Sequence, residues 1–406
     1  REQYDDAIAC YRAALTIDAA NVEAHCNLGT AYMVQDLLHE AIDSYRAALA
    51  LDPNFFDAHY NLGIALCVLG KLRESVAAYD RALAIRPDFA QAHYNSSYPR
   101  LLLGDLVQGF KSYEWRWRGG SKKFVKRECE KPMLADAEIA GRTVLLYAEQ
   151  GVGDTIQFSR YAALVAAAGG RVILEVPQYL HRLFSCLQGV SALIAPGEPA
   201  PAFDAYCPLM SLPSIFSTVV ETIPANSAYL SAEDSISESW RTKLGSHGFK
   251  IGIAWQGNPN ATAEKGRSAP LASFAPLARI PGVRLISLQK THGLDQLQSL
   301  PADMIVETLG DDFDSGPDAF VDTAAVMMNL DLIITVDTSI GHLAGALGRP
   351  AWIALQMIPH WVWMLDRSDT PWYPSLRLFR QSTRGDWSGL FAAMAEEIRT
   401  IIDAKI

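Results

Sequence analysis

Basic residues are in short supply in this chain. Lys and Arg number 35 against 45 Asp and Glu, a formal net charge of -10 over 406 residues. Binding to a phosphate backbone needs a clustered excess of cations, so nucleic acid is not an expected partner. The short basic run of Lys122-Lys123 and Lys126-Arg127 reads as a solvated linker. Long apolar runs are also missing: none approaches the roughly eighteen residues of a membrane span, and no signal peptide opens the chain. The six cysteines, Cys10, Cys26, Cys67, Cys129, Cys186 and Cys207, never form the close pairs of metal or redox sites. They read as small buried hydrophobes in a reducing compartment. A soluble, cytoplasmic protein without a metal is the expectation. The chain starts at Arg1, not at a methionine and partway through a repeat, so upstream residues are expected to have been removed.

What is there begins with a period. Self-comparison at an interval of 34 residues superimposes Ala24-His25, Ala58-His59 and Ala92-His93, and likewise Asn27, Asn61 and Asn95. The same offset matches Gly29 with Gly63, Tyr11 with Tyr45, Tyr79 and Tyr113, Ala14 with Ala48 and Ala82, and Pro53 with Pro87. Period and residue set resemble the tetratricopeptide repeat. The resemblance implies a solenoid of antiparallel helix pairs over 1–120, two full repeats with partial ones on either side. Small residues sit at the crossings, tyrosines fill the gap to the next pair, and proline closes the second helix. The last repeat departs, with Ser96-Ser97, Pro99 and Glu114-Trp115-Arg116-Trp117; both tryptophans are expected to dock on the following domain. His25, His59 and His93 lie a full helical pair apart, unsuited to zinc geometry. The expected ligand of such an array is peptide or protein.

After a linker at 121–140, apolar β-branched runs begin at Thr143, Arg171, Phe203, Lys250, Val283, Met304 and Leu332, alternating with helical patterns. This predicts two Rossmann-like α/β domains, 141–235 and 236–406, facing each other across a cleft, with ligands at the carboxyl ends of strands. The segment from Asp331 to Pro350, DLIITVDTSIGHLAGALGRP, is the most informative. A buried strand turns at Asp337-Thr338-Ser339 into a glycine-rich helix whose free amides and dipole favour an anion. The alternative is an ordinary turn with Asp337 or Thr338 as N-cap. His342, one turn in, is either part of that site or a neutral structural histidine.

Other loops follow other strands. Glu149-Gln150-Gly151-Val152-Gly153-Asp154 places a carboxylate at a helix start, as a cap or as a group facing the cleft; the dinucleotide spacing GxGxxG is absent. Trp255-Gln256-Gly257-Asn258-Pro259, followed by Lys265-Gly266-Arg267-Ser268, is suited to bracketing phosphate oxygens, or else is a solvated loop. Gln289-Lys290 offers a further cation. The stretch Pro359-His360-Trp361-Val362-Trp363 to Pro371-Trp372-Tyr373-Pro374 is expected to pack a domain corner through Trp363, with Trp361 left between packing and a pocket wall. The last helix is amphipathic and carries no catalytic signal.

VDTSIGHLAGALGRP, taken with AEQGVGDTIQFSRY, IAWQGNP, GRSAPL, SLQK and PWYP…LFRQ, resembles the bacterial tetratricopeptide-repeat glycosyltransferases related to the heptosyltransferase family. The resemblance covers nearly the whole chain. It implies the two-domain glycosyltransferase B fold, a nucleotide-sugar donor, inversion at the anomeric carbon, and neither metal nor cofactor. Protein O-GlcNAc transferase and the flagellin glycosyltransferases are similar in plan. Asp154 matches the acceptor base, and Thr338, Ser339 and His342 match the diphosphate-binding turn. Arg267 falls where those enzymes place a phosphate-binding lysine. Gln256, Asn258 and Lys290 join the donor side, and Asp337 is the candidate for the ribose-binding acid. The expected function is transfer of a sugar to a protein hydroxyl, flagellin or another surface protein, with the repeats selecting the acceptor. Two readings stand beside it: a protein-binding scaffold whose α/β region is catalytically inactive, and a transferase for lipid-linked or polysaccharide acceptors.

Overall fold

The computed structural model describes residues 2–120, 126–225, 228–260 and 266–404. The chain divides into two compact units, Arg1–Glu128 and Cys129–Ile406.

The first unit is a stack of antiparallel helices: α1 (Glu2–Ile17), α2 (Val22–Val34), α3 (Leu38–Leu51), α4 (Phe56–Val68), α5 (Leu72–Ile85), α6 (Ala90–Leu102) and α7 (Leu106–Tyr113). Pairs α2–α3 and α4–α5 are the full repeats. Gly29 and Gly63 set how closely each pair packs. A Cβ there would lie 2.7 Å from the Tyr45 ring and 2.9 Å from the Tyr79 ring. The repeating tyrosine therefore covers the first helix of its own pair. The periodic histidines are structural, with Nε2 of His25, His59 and His93 lying 3.1, 2.9 and 2.7 Å from the carbonyl oxygens of Ala19, Pro53 and Pro87. Each ring ties a helix back to the turn before it. Pro99 sits inside α6, while Ser96 and Ser97 hydroxyls donate to the His93 and Tyr94 carbonyls. Trp115 stacks on His93 at 4.0 Å, and the Arg116 guanidinium lies 4.2 Å from the Trp117 ring centre. Both tryptophans are thus engaged within the repeat unit itself.

The second unit holds two parallel sheets. One contains β1 (Thr143–Tyr147), β2 (Arg171–Glu175), β3 (Val190–Ile194) and β4 (Ala205–Pro208), in the order β3-β2-β1-β4. The other contains β5 (Phe249–Ala254), β6 (Val283–Ser287), β7 (Val306–Glu307), β8 (Leu332–Val336), β9 (Ala351–Leu355) and β10 (Leu376–Arg380), in the order β10-β9-β8-β5-β6-β7. Burial decides that these apolar runs are strands. All five residues of β8 are buried, and burying one aliphatic side chain is worth about 1.5–3 kcal/mol, more than the ~1 kcal/mol span of strand propensity. Helices on both faces keep the parallel strands dry. The chain reverses strand order beside β1 in the first sheet and between β5 and β8 in the second, the two switch points where such folds open a crevice. These are two Rossmann-like domains following a helical repeat unit.

Several details depart from the sequence pattern. β3 and β10 are edge strands whose exposed positions, including Arg377, hide the apolar alternation, and β9 is a short apolar run that periodicity alone does not assign. The helical stretch that begins beside Asp154 divides into Val152–Ser159 and Tyr161–Ala167. There the Ser159 hydroxyl and the Arg160 Nε bond the carbonyls of Ile156 and Gln157, competing with helical amides. The boundary expected at 235 falls inside the helix Asp234–Leu244, whose Trp240 indole donates to Asp322 of the second lobe. Of the segment 121–140, residues 121–125, with Lys122 and Lys123, lie outside the described residues. Pro132–Leu134 pairs with Tyr206 beside β4, and Leu134 and Ile139 are buried.

Among the described residues the two lobes meet at several places. The helix Val152–Ser159 packs on Ser339–Ala346, and on another side Ala319 donates to the Tyr179 carbonyl while Arg182 pairs with Glu233 at 2.6 Å and Asp318 at 3.5 Å. Gly345 governs the packing behind the first junction. A Cβ there would stand 2.2 Å from Cδ1 of Tyr373, a fully buried ring. Gly345→Ala is expected to lower the stability of the α/β unit by about 1–3 kcal/mol through overpacking, read as an earlier denaturant midpoint for the tryptophan-rich second unit.

Candidate functional site

Three strand ends converge on one region. β1 runs into Gly151, the N-cap of the helix Val152–Ser159, and Asp154 occupies the third helical position. Its carboxylate accepts a backbone hydrogen bond from Gly151. Asp154 therefore closes its own helix turn from inside the helix, half of a capping box. Gly153, one residue earlier, lets this turn approach the second lobe: a Cβ there would lie 2.9 Å from His342 Cδ2 and 3.7 Å from Ser339 Cα.

On the opposite side, β8 ends at Asp337, which is buried, and Thr338 is the N-cap of the helix Ser339–Ala346. The Thr338 side chain does not cap that helix. Its Oγ1 lies 2.9 Å from Thr335 Oγ1, while the Gly341 amide is satisfied by the Thr338 carbonyl. A helix start without a side-chain cap, carrying Ser339 at its first position, is an anion-favouring environment. His342 is buried one turn further in. Its Nδ1 lies 3.0 Å from the Tyr373 hydroxyl, and its ring stacks on Trp363 at 5.2 Å.

The third strand end, β5, is braced by amides. Gln289 Oε1 accepts from the backbone N–H groups of Trp255 and Gln256 at 3.0 and 3.1 Å, and its Nε2 donates to the Gln256 carbonyl. Gln296 donates to Gln256 Oε1 at 3.0 Å. Gln256 is thereby a fixed part of the loop wall. Asn258 is exposed, its Oδ1 accepting from the Asn260 amide in an Asx turn. The Gly257 amide donates to Ser268 Oγ, so the two arms of this loop are tied beside Arg267. Lys265 lies outside the described residues. Lys290 follows β6, but its ammonium donates to the Phe313 carbonyl and faces that ring at 5.7 Å.

Electrostatics bind these groups together. Burial raises the Asp154 carboxyl above its ordinary value, with Asp337 adding to the rise and His360, the Gly151 bond and Arg267 opposing it. Burial lowers His342 to about 4, opposed by Asp337 and reinforced by His360, Arg160 and Arg267. Asp154 and His342 thus each feel the charges of Asp337, His360 and Arg267. His360, Arg160, Tyr373 and Trp363 complete the surroundings. The aromatic stretch 359–374 is the sequence signal for three of them, and Trp361, 3% exposed, proves to be packing: its ring lies 6.2 Å from Phe158 and 6.3 Å from Trp372. Among the described residues, no group of three or more His, Cys, Asp or Glu is placed to hold a metal ion. No described helix is long and apolar enough to cross a membrane.

The repeat unit matches known families directly: a TPR repeat over residues 1–36 and 38–67, and a tetratricopeptide repeat over 56–89. Such repeats are surfaces that bind peptide or protein. Among curated proteins the chain is similar to protein FlbA of Caulobacter vibrioides, 26% identical over 318 residues that cover 72% of this chain and 52% of that protein. The chain thus spans about half the length of this relative. Among solved structures it is similar to MamA, 29% identical over 29% of this chain and 68% of that one with a TM-score of 0.28. YrrB, described as a TPR protein with an unusual peptide-binding site, is 22% identical over 29% of this chain and 61% of its own, with a TM-score of 0.27.

His342 should shape stability in acid. The unfolded ring takes up a proton near 6.5 and the folded one only near 4, so the unfolded state binds more protons between those values. Stability is full above pH 6.5 and falls as pH drops toward 4, by up to about 3 kcal/mol from this residue. His342→Gln is expected to flatten that limb, measured as a smaller difference in denaturant midpoint between pH 4.5 and pH 7 than in the unaltered protein.

Proposed function

We propose that this chain is a metal-independent, inverting glycosyltransferase that moves a sugar from a nucleotide-sugar donor to a hydroxyl of an acceptor protein, with the helical repeats recognising that acceptor. The observation that carries the reading is the meeting of two strand ends: Asp154 stands across the Gly153–His342 junction from an uncapped helix start, with Arg267 within electrostatic reach. Glycosyl transfer needs two things at that distance. A base must take the acceptor hydroxyl proton, and the departing nucleoside diphosphate must find positive charge.

Asp154 supplies the base. A carboxyl raised by burial holds a proton more tightly than a free one, which improves proton abstraction, while His360 and Arg267 oppose that rise and favour the anionic form that must act as base. The leaving diphosphate would be received by Arg267, the Ser339 end of the helix and the hydroxyl of Thr338 or Ser339. Charge-assisted bonds of this kind are worth about 1.5–3 kcal/mol each. Lys290, held by Phe313, has a supporting part at the rim, and Gln256 and Asn258 border the nucleotide. Asp337, buried beside both, is the candidate for the ribose hydroxyls. The peptide-binding character of tetratricopeptide repeats favours a protein acceptor over a lipid-linked one.

A screen of nucleotide sugars for thermal stabilisation, followed by intact-mass analysis of co-expressed acceptor proteins, tests the reading. Asp154→Asn is expected to cut transfer by about 10²–10⁴ while nucleotide binding stays within severalfold and the fold keeps its full stability. Removing a carboxyl that burial destabilises when ionised should even raise the melting temperature at pH 7–8 and leave it unchanged below pH 4. Full transfer by the Asn variant would exclude Asp154 as base. No added mass with any donor would favour the inactive scaffold instead.

A further inference from the structure

The turn that follows β9 is held in a shape its residues disfavour. His360 leads into a 3-10 turn, Trp361–Trp363, that closes on its own start: the Trp363 amide donates to the His360 carbonyl at 3.0 Å and the Met364 amide to the Trp361 carbonyl at 3.1 Å. Met364 then takes φ 50° and ψ 179°, and Asp366 takes φ 57°, left-handed values that favour glycine. Met364 is buried as well. A backbone of this kind persists where its surroundings over-determine it, and such strain gathers at functional sites. One side chain gathers the turn's carbonyls. Arg380, at the end of β10, donates from Nη1 to the Arg367 carbonyl at 2.9 Å, and from Nη2 to the Met364 and Trp363 carbonyls at 2.7 and 3.3 Å. Among the described residues, every hydrogen bond of this guanidinium goes to that single turn.

The turn carries two groups toward the Asp154 side of the fold. Trp363, fully buried, stacks on His342 with ring centres 5.2 Å apart and planes 25° from parallel. Among the described residues its indole N–H has no hydrogen-bond partner, so packing and the backbone it hangs from are what fix that ring. His360 begins the turn, and its charge is the first of those opposing the rise of the Asp154 carboxyl. A planar guanidinium fork can hold several carbonyls at once, and an ammonium on a flexible stem does not keep that geometry. We propose that Arg380 is a positioning residue for the transfer reaction: by gathering the carbonyls of Trp363, Met364 and Arg367 it holds the strained turn that keeps Trp363 against His342, the ring that meets Gly153 and the Asp154 turn. The proposal rests on the glycosyltransferase reading for the reaction it serves, but not for the contacts. In such a reaction a misplacement of about 1 Å costs on the order of a hundredfold in rate.

The test uses carbon–proton correlation spectra of the full chain with ¹³C-labelled histidine at pH 7, the His342 ring signals being identified by their loss in His342→Gln. Stacking on an indole shifts ring protons upfield, so these signals are expected upfield of the other histidines. Arg380→Lys, which keeps the charge and loses the fork, is expected to move them downfield. Arg284→Lys is the control, because Arg284 also donates to main-chain carbonyls, those of Leu244 and His247, but near the start of β6. Signals that stay in place in Arg380→Lys, or that move equally in Arg284→Lys, overturn the proposal. Should Arg380→Lys not fold, the unaltered protein decides. Its Trp363 and Met364 amides are expected to exchange with deuterium as slowly as those of β9 and β10, and exchange at the rate of an exposed loop overturns the clamp. With a sugar donor in hand, Arg380→Lys is expected to lower kcat about ten- to a hundredfold while the Kd of the best binder among UDP, GDP, ADP and CDP changes by less than about twofold. An unchanged kcat, or a loss confined to nucleotide binding, overturns the positioning role. Moved signals and slow exchange in a chain that transfers no sugar support the clamp, and the failure then falls on the glycosyltransferase reading.

Discussion

The close approach of Gly153 to His342 is the constraint on which the second unit depends. Two parallel sheets each leave a crevice where strand order reverses, and either crevice alone would be a shallow surface feature. The two lobes meet between them because the helix starting at Val152 carries no side chain at the point where it meets the helix starting at Ser339. Any Cβ at 153 would have to displace an imidazole that Tyr373 and Trp363 hold on two sides. The glycine thus lets the Asp154 turn close on the helix start at Ser339, and burial is the main cause of the raised Asp154 carboxyl and the lowered His342 ring.

The two units use small residues in the same way for different ends. In the repeats, Gly29 and Gly63 admit a tyrosine ring and produce a helical pair of fixed spacing. In the α/β unit, Gly345 admits Tyr373 and Gly153 admits His342, and the result is a polar cluster whose members could not otherwise meet. The periodic histidines belong with the first use. His25 bonds the Ala19 carbonyl as His59 and His93 bond those of prolines, so the ring, not the proline, is what recurs in all three turns.

Much of this was legible in the sequence because it is local. A period of 34 residues is visible without any structure, and the run from Leu332 to His342 shows strand, turn and helix in order. Asp154 and the Thr338 turn follow strands, which is enough to send them to the same edge of their sheets. What stayed hidden depends on long-range proximity. Arg160 reads as an ordinary helical residue, and its bond to the Trp372 carbonyl spans 212 positions. Tyr373 is marked by its aromatic neighbours but nothing near it in sequence names His342 as its partner. Lys290 shows the converse: a cation placed correctly at a strand end is engaged by a carbonyl of a distant loop, at Phe313. The edge strands β3 and β10 are harder to read because their partly exposed positions, Ser191 in one and Arg377 in the other, interrupt the apolar pattern.

The unequal character of the junctions between the lobes has a mechanical consequence. Arg182, Glu233 and Asp318 are all largely solvated, and ion pairs of that kind contribute about 0–1 kcal/mol. Arg160 is different: parting the lobes there would strip a buried cation of carbonyl and hydroxyl oxygens drawn from both sides, a loss on the order of 3–5 kcal/mol. What holds the lobes together at the Asp154–His342 contact is therefore mainly the buried guanidinium of Arg160, while the solvated pairs of Arg182 add little where Ser231 and Cys186 keep the connecting chain close.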